Sequence, residues 1–141
     1  RKLALCRRSE GTLPSADTRV WLGDSMGEMP AYFTVADLAL IGGTLLPFGG
    51  QNLIEAAACG CPVLVGPHTY NFAQATEDAL ASGAALRVAD AEGATAEAER
   101  LLKDAETLDS MRQAATAFSQ AHRGATARTL ALIQKIMAAR Q

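Results

Sequence analysis

Positive charge is absent from the centre of the chain: no lysine or arginine occurs between Arg19 and Arg87. The whole 141-residue sequence has a formal net charge of −2 at pH 7, which argues against a nucleic-acid-binding surface. A P-loop is also excluded, because that motif needs a lysine directly after its second glycine. An anion bound at residues 42–55 must therefore be held by backbone N–H groups and a helix dipole, or by cations from another part of the protein. This favours a monophosphate over a triphosphate.

Cysteines are few, and long apolar runs are absent. Cys6, Cys59 and Cys61 have no disulfide-framework spacing, which indicates reduced thiols in a cytoplasmic protein. They also lack the four-ligand spacing of a zinc site, so we predict no bound metal.

No apolar run is long enough to span a bilayer, and there is no signal-peptide pattern. Because the first residue is Arg1 rather than Met, we expect a piece of a longer protein.

The composition, 49% hydrophobic and 20% charged, is that of one compact domain with a real core. Apolar strand-like segments alternate with helical ones along it. We predict strands at 3–6, 19–22, 37–41, 62–65 and 84–88. We predict helices at 27–35, 53–59, from about 71 to 81, at 92–104, over a segment containing 108–118, and after Gly124.

Helix caps and helix faces can be read from the same sequence. Ser25 and Glu28 have capping-box spacing, Thr69 or Asn71 is expected to cap the helix that ends at 81, and Asp90 the one after it. Apolar residues at helical spacing should face inward: Met29, Tyr32, Phe33 and Ala36 in the first helix, Leu108, Met111, Ala115 and Phe118 in the fifth, and Leu130, Ile133 and Met137 in the last.

The alternation of strands and helices predicts an α/β fold, a three-layer, doubly wound and mostly parallel sheet of the Rossmann-like kind. Three unusual loops, at 23–28, 42–52 and 66–71, follow predicted strands. In an open parallel sheet the carboxyl ends of the strands share one edge, where ligands bind. We therefore expect these three loops to meet at a nucleotide site.

The most informative stretch is GGTLLPFGGQNLIE, from Gly42 to Glu55. Its glycine pairs allow sharp turns and the close approach of a ligand. The short helix that follows offers N–H groups to an anion, and Glu55, one turn in, can accept hydrogen bonds from a diol. A nucleotide has both groups. The alternative is that Asn52 and Glu55 only cap the helix and the glycines only form turns.

Four motifs follow one another along the chain: GDSMGE at 23–28, GGT at 42–44, GGQNLIEAA at 49–57 and GPHTYNF at 66–72. With these motifs, and over essentially its whole length, the sequence resembles the 3-deoxy-D-manno-octulosonic acid (Kdo) transferases of Gram-negative bacteria. Members of that family usually have Thr in place of Ser25 and His in place of Gln51. Ser25 keeps a hydroxyl, whereas Gln51 lacks a ring that could contact a phosphate.

The resemblance implies an inverting, two-domain glycosyltransferase of the GT-B type, of which residues 1–141 are an N-terminally truncated part of the C-terminal nucleotide-sugar-binding domain that ends in its C-terminal helices. The donor is then CMP-Kdo, the acceptor is the lipid A precursor of lipopolysaccharide, and no cofactor is used. The general base, a Glu, belongs to the N-terminal domain. The chain therefore contains no catalytic residue and is expected to be inactive alone. The first strands of the domain, with an Arg-His-Pro segment, are also expected to lie outside it.

The resemblance implies roles for the central helix. Glu55 is the ribose-binding acid, and Asn52, with the N–H groups after Gly50, forms part of the phosphate cradle. The same resemblance places the parent enzyme at the cytoplasmic face of the bacterial inner membrane, and we expect the chain itself to be soluble.

Further roles fall on the other loops. The backbone of 25–27 is expected to meet the cytosine, Thr44 to line the cleft near the sugar or phosphate, and His68 and Asn71 to contact Kdo or the other domain. For His68 the alternative is a histidine that only completes loop hydrogen bonds. The expected donor-binding residues are Ser25, Met26, Gly27, Thr44, Gly49, Gly50, Gln51, Asn52, Glu55, His68 and Asn71.

Two other interpretations fit the same motifs. The chain could belong to another GT-B glycosyltransferase or a UDP-sugar epimerase, which share a glycine-rich loop and a ribose-binding Glu. It could also be a catalytically silent nucleotide-binding or interaction module. In a truncated domain, the strand at 20–22 should form an unprotected sheet edge, so we expect self-association through it or a displaced N-terminal segment.

Overall fold

The structure is a computed structural model that describes residues 3–122 and 125–138. Short strands alternate with helices through the first 87 residues, and three helices follow. Five strands are described: β1 Leu5–Arg7, β2 Val20–Leu22, β3 Ala39–Leu40, β4 Val63–Val65 and β5 Ala85–Arg87. Six α-helices accompany them: α1 Met29–Val35, α2 Leu53–Ala58, α3 Ala73–Ala81, α4 Ala91–Leu102, α5 Ala105–His122 and α6 Ala125–Ala138.

All strand pairs of the described chain are parallel, which confirms the predicted α/β class. The strands lie in two sheets, however, and not in one. The first sheet has the order β1-β2 and the second has the order β3-β4-β5. Because β1 is paired with β2, with Leu5 opposite Val20, the alternative of a displaced N-terminal segment is wrong.

The core surrounds β4, whose three residues are all buried, as predicted for a strand covered on both faces. Val63 and Val65 pack with residues of α2, α3 and α5. Leu64, which points to the opposite face, packs with residues of α4 and the start of α5, including Leu101 and Leu108. Helices α2 and α3 therefore cover one face of the second sheet, and α4 covers the other.

Two of the predicted helix caps are present. Asn52 caps α2 by accepting a hydrogen bond from the N–H of Ile54 at 3.0 Å. Asp90 caps α4 by accepting one from the N–H of Gly93 at 2.8 Å. Each of these caps joins residues only two or three positions apart, which is why the sequence predicts them.

The other two caps are wrong. Helix α1 begins at Met29 without a side-chain cap, and Ser25 instead donates to the carboxylate of Glu28. A 3₁₀ turn at Tyr70–Phe72 precedes α3, and neither Thr69 nor Asn71 caps it. Asn71 is instead hydrogen-bonded to the glycine-rich loop.

The apolar faces of the helices follow the sequence pattern in part. The four α5 residues predicted to face inward are buried. In α1, Tyr32 and Phe33 are half-buried, as is Ala36 directly after its end, but Met29 is 48% exposed. The three residues singled out in α6 are between 47% and 64% exposed, and Gly124, the expected interruption, lies outside the described residues.

Within the described ranges, every helix is too short or too polar to cross a membrane.

Candidate functional site

The glycine-rich loop after β3 folds back on itself. The N–H of Gly50 donates to the carbonyl of Gly43 at 3.0 Å, and the N–H of Gln51 donates to Gly42 at 3.1 Å. Gly43, Gly49 and Gly50 have φ angles between +73° and +86°, a region that side chains with a Cβ rarely adopt. Glycine at these positions is what allows the loop to close into a compact turn beside α2.

The loop after β4 packs directly on the glycine-rich loop. The side-chain amide of Asn71 donates to the carbonyls of Phe48 at 3.1 Å and Gly50 at 3.3 Å. The Tyr70 hydroxyl donates to the carbonyl of Pro47 at 2.7 Å. A Cβ on Gly49 would lie 2.5 Å from the Tyr70 ring. The predicted meeting of loops 42–52 and 66–71 at one sheet edge is confirmed.

Glu55 lies on the exposed side of α2 and borders a cavity of about 320 Å³. Its Oε1 accepts a hydrogen bond from the side-chain amide of Asn52 at 2.9 Å, so the residue that caps the helix also orients the carboxylate. The cavity is lined by Met29, Phe33, Leu40, Ile41, Gly42, Gln51, Asn52 and Glu55. Polar groups from the loop and α2 thus face an apolar wall from α1 and β3.

The loop at 23–28 reaches this cavity only through its C-terminal end, where Met29 begins α1. Its tip is open to solvent: Met26 is 96% exposed, and nothing lies within 4 Å of a Cβ built on Gly27. Ser25 is also exposed. The structure therefore places loop 23–28 beside the cavity, with 25–27 projecting away from the protein.

Side chains from the turn after β1 hold the base of that loop. The Arg8 guanidinium donates to Glu28 at 2.8 Å, and Ser9 donates to Asp24 from its N–H at 2.9 Å and from its hydroxyl at 2.7 Å. The Ser25 hydroxyl and then the Arg8 guanidinium lower the pKa of the Glu28 carboxyl. The two hydrogen bonds from Ser9 lower the pKa of Asp24 in the same way.

Arg87 holds the loop at 66–71 in place, a role that no local sequence pattern indicates. It ends β5, and its guanidinium donates to the carbonyl of Gly66 at 3.0 Å and to the Thr69 hydroxyl at 3.4 Å. It also pairs with Glu77 at 2.7 Å and, with His68, borders a cavity of about 450 Å³. Arg87 borders the loop at 66–71 and does not line the cavity beside Glu55, so the predicted lack of a lysine or arginine at residues 42–55 stays a prediction.

Thr44 is the predicted site residue that the structure contradicts. Its side chain is 1% exposed, and its hydroxyl donates to the carbonyl of Ile41 at 2.6 Å. Its methyl group would lie 2.9 Å from a Cβ on Gly50. Thr44 therefore supports the glycine-rich loop from within and does not line the cleft.

Backbone N–H groups of the predicted phosphate cradle already have acceptors inside the chain. Those of Gly50 and Gln51 bond to the loop, and that of Ile54 bonds to Asn52. A phosphate at these groups would have to displace an internal acceptor. A phosphate bound there would therefore depend on the other N–H groups at the start of α2, on side chains or on added cations.

No cluster of three or more His, Cys, Asp or Glu side chains able to hold a metal ion occurs in the part of the chain that the structure describes. Cys61 is buried, and burial raises the pKa of its thiol to about 11. Its neighbour Cys59 is half-buried at the C-terminal end of α2.

The sequence has relatives of known function. A 3-deoxy-D-manno-octulosonic acid transferase of Bordetella pertussis is 52% identical over 129 residues, which cover 91% of this chain and 30% of the relative. The enzyme of the same description from Haemophilus influenzae is 35% identical over 134 residues, covering 94% of this chain and 31% of the relative. The chain thus spans slightly less than a third of the length of these curated relatives.

A solved structure supports the same relationship. The C-terminal CMP-Kdo binding domain of WaaA from Acinetobacter baumannii matches with a TM-score of 0.79 and 30% sequence identity, covering 84% of this chain and 62% of that structure. Residues 2–118 also match the model of the family described as Glycosyl transferases group 1. Because that match covers most of the chain, the chain belongs to the group 1 glycosyl transferases, and its fold is that of the donor-binding domain of a GT-B enzyme.

Proposed function

We propose that this chain binds CMP-Kdo and orients it for transfer of Kdo to the lipid A precursor. The observation that carries the proposal is the position of Glu55, which borders a cavity at the carboxyl edge of β3 together with Gly42, Gln51 and Asn52. The description of the matched solved domain, a CMP-Kdo binding domain, supports the choice of donor.

The arrangement around Glu55 suits a ribose. An ionised carboxylate only accepts hydrogen bonds, and a vicinal diol can donate two of them. Asn52 occupies Oε1 at 2.9 Å, which fixes the orientation of the carboxylate and leaves Oε2 for a ribose hydroxyl. The apolar side of the cavity, with Met29 and Phe33, can accept the flat face of a base.

Transfer of Kdo leaves CMP, whose phosphate gains negative charge in the transition state. Dipoles and donors aimed at that phosphate stabilise the leaving group. Gln51 and Asn52 supply side-chain amides beside the cavity, and the backbone N–H groups of Asn52 and Leu53 lie at the start of α2. The general base that activates the acceptor is proposed to lie in another domain, so the chain alone should not catalyse transfer.

The acceptor and the location of the enzyme belong to the whole protein. We place binding of the lipid A precursor, and attachment to the cytoplasmic face of the inner membrane, in the part that the matched relatives have beyond this chain.

Calorimetric titration of the chain with CMP and with UDP tests the proposal. CMP should bind at least about 10-fold more tightly than UDP, and Glu55→Gln should weaken CMP binding by about 10-fold, the loss of one charge-assisted hydrogen bond. Glu92→Gln is the matched control, since Glu92 is exposed on α4 and does not line the cavity.

The other outcomes separate the alternatives. Tighter binding of UDP would indicate a different GT-B transferase or a UDP-sugar epimerase. Binding of neither nucleotide, to this chain or to the full-length enzyme, would overturn the proposal in favour of an interaction module. In the full-length enzyme, Glu55→Gln should raise the KM for CMP-Kdo, and an unchanged KM would remove Glu55 from the site.

A further inference from the structure

Both ends of loop 23–28 are anchored by the turn after β1. Near the start of the loop, Asp24 accepts hydrogen bonds from the N–H and from the hydroxyl of Ser9. At its end, Glu28 accepts one from the Arg8 guanidinium at 2.8 Å. The residues between these two anchors are all exposed, so the loop is held from behind while its tip is open to a ligand.

The carboxylate of Glu28 has a separate partner on each oxygen. Its Oε1 accepts from Arg8, and its Oε2 accepts from the hydroxyl of Ser25. The bond from Ser25 and then the bond from Arg8 lower the pKa of Glu28, so the group is ionised at neutral pH. An ionised carboxylate has no proton to donate, and the Ser25 hydroxyl must therefore give its only proton to this bond.

What remains of the Ser25 hydroxyl can only accept. A serine hydroxyl has one proton and two lone pairs, and only the lone pairs are left once the proton is donated. Ser25 is exposed, so a ligand can reach these lone pairs. The loop therefore presents a group that favours a donor and disfavours a second acceptor.

A nucleotide bound as proposed above brings the far edge of its base to this loop. The ribose is at Glu55, and the base lies against Met29 and Phe33 in the same cavity. In a pyrimidine, the 4-position lies across the ring from the nitrogen that carries the ribose, so it points away from Glu55. Met29 begins α1 directly after loop 23–28, on that side of the cavity.

Cytosine and uracil have opposite groups at the 4-position. Cytosine has an amino group there, which donates, and uracil has a carbonyl oxygen, which accepts. We propose that the Ser25 hydroxyl accepts a hydrogen bond from the 4-amino group of cytosine, and that Glu28 is the positioning residue that prevents this hydroxyl from donating to uracil. The inference rests on the proposed binding of CMP-Kdo and adds to it the side chains that select the base.

Titration of the full-length enzyme with CMP and with UMP tests the contact, because the two nucleotides share the same ribose and phosphate. Ser25→Ala should weaken CMP binding by about 10-fold and leave UMP binding nearly unchanged, since only cytosine loses a partner. Ser25→Thr keeps the hydroxyl and should keep the preference for CMP. Equal weakening of both nucleotides by Ser25→Ala would overturn the proposal.

Glu28→Gln tests the positioning role without changing the size of the side chain. Arg8 can only donate, so the carbonyl oxygen of the amide faces Arg8 and its NH₂ group faces Ser25. The Ser25 hydroxyl then accepts from within the loop and is free to donate outward, which suits the carbonyl of uracil. The ratio of CMP affinity to UMP affinity should fall by at least about 10-fold, and an unchanged ratio would overturn the proposal.

Asp24→Asn is the matched control, because it weakens the other anchor of the loop without replacing either partner in the Ser25–Glu28 bond. It should lower the affinities for CMP and UMP by the same factor. If it changes their ratio as much as Glu28→Gln does, loosening of the loop explains both effects and the proposal is overturned.

Glu55→Gln separates this inference from the proposed function. If the enzyme binds CMP and Glu55→Gln weakens that binding, while the Ser25 and Glu28 variants leave the ratio unchanged, only the present inference fails. If the unaltered enzyme binds neither CMP nor UMP, the proposed function fails with it.

Discussion

The side-chain amide of Asn71 donates to the carbonyl of Gly50 at 3.3 Å, across a separation of 21 residues in the sequence. Together with its bond to Phe48, this contact holds the loop after β4 against the glycine-rich loop. The two loops form the rim of the candidate donor site. Asn71 is therefore a positioning residue for the glycine-rich loop.

Asn71→Ala should weaken CMP binding by about 10-fold while lowering stability by only about 1 kcal/mol, because the amide is exposed and two carbonyls lose a donor that water can replace. Calorimetry and urea unfolding measure the two effects. Gln74→Ala is the control, since its exposed side chain bonds to Asp78 on the outside of α3. Unchanged CMP affinity in Asn71→Ala would show that the loop contact does not shape the site.

Gly49 should tolerate no side chain. Its φ is +86°, and a Cβ would meet the Tyr70 ring at 2.5 Å and the Asn71 side chain at 2.6 Å. Gly27 has a similar φ of +81° but nothing within 4 Å of its Cβ. Gly27→Ala therefore carries the backbone cost alone, about 1 kcal/mol, whereas Gly49→Ala should cost about 3 kcal/mol.

Urea unfolding of the two alanine variants measures this difference. If they lose the same stability, the contact between loops 42–52 and 66–71 is not tight in solution.

Arg87 should stabilise the loop at 66–71 through the carbonyl of Gly66 more than through its ion pair with Glu77. The ion pair is exposed, with Glu77 64% accessible, and such pairs contribute less than about 1 kcal/mol. Arg87→Met removes both interactions, and Glu77→Gln removes only the charge of the partner. Arg87→Met should speed exchange of the loop amides 67–71 by about 10-fold, and Glu77→Gln should leave it nearly unchanged. Similar exchange in both variants would assign the effect to the ion pair.

The local features of this fold could be predicted from the sequence. Asn52 and Asp90 cap helices through bonds to residues two and three positions away. The buried strand β4 was predicted because every one of its residues is apolar. The exposure of Glu55 next to the glycine-rich loop also follows from its position one turn into a short helix.

The features that were missed depend on distant residues. Arg87 lies 21 positions from Gly66, and no local pattern links them. The capping box of Ser25 and Glu28 failed because Arg8, 20 positions from Glu28, binds its carboxylate and Ser25 bonds to the same group. The prediction that Thr44 lines the cleft failed because a sequence does not tell whether a loop hydroxyl points outward or back to its own backbone.

Cys61 should be almost unreactive in the native chain. Burial raises its thiol pKa from an ordinary value of 9.0 to about 11, which lowers the thiolate fraction at pH 8 by about 100-fold. Iodoacetamide should therefore modify it at least about 100-fold more slowly in the folded than in the unfolded chain, measured by peptide mass spectrometry. Cys59, which is only half-buried, should be modified in the folded chain. Rapid native modification of Cys61 would mean that the end of α2 opens readily.

The contacts at the base of loop 23–28 should be lost in acid, because two carboxylates, Asp24 and Glu28, accept them. The contributions of the two groups can be measured separately. The folded pKa of Asp24 lies below its ordinary value of 3.8, and that of Glu28 lies below 4.5. A carboxyl with a lowered folded pKa stabilises the fold above its ordinary pKa, and this contribution is lost as the pH falls through the folded value. The contacts from Ser9 and Arg8 should thus persist at neutral pH and be lost only in acid, below pH 3.8 for Asp24 and below pH 4.5 for Glu28.

Carboxyl-carbon NMR titrations of two serine variants test this assignment. Ser9→Ala removes the hydroxyl that is the main cause of the lowered pKa of Asp24, so the pKa of Asp24 should rise and that of Glu28 should not. Ser25→Ala should raise the pKa of Glu28 and leave that of Asp24 unchanged, because the Ser25 hydroxyl is the main cause of the lowered pKa of Glu28. If either variant moves both pKa values, the two contacts act as one network, and the turn after β1 positions loop 23–28 as a single unit.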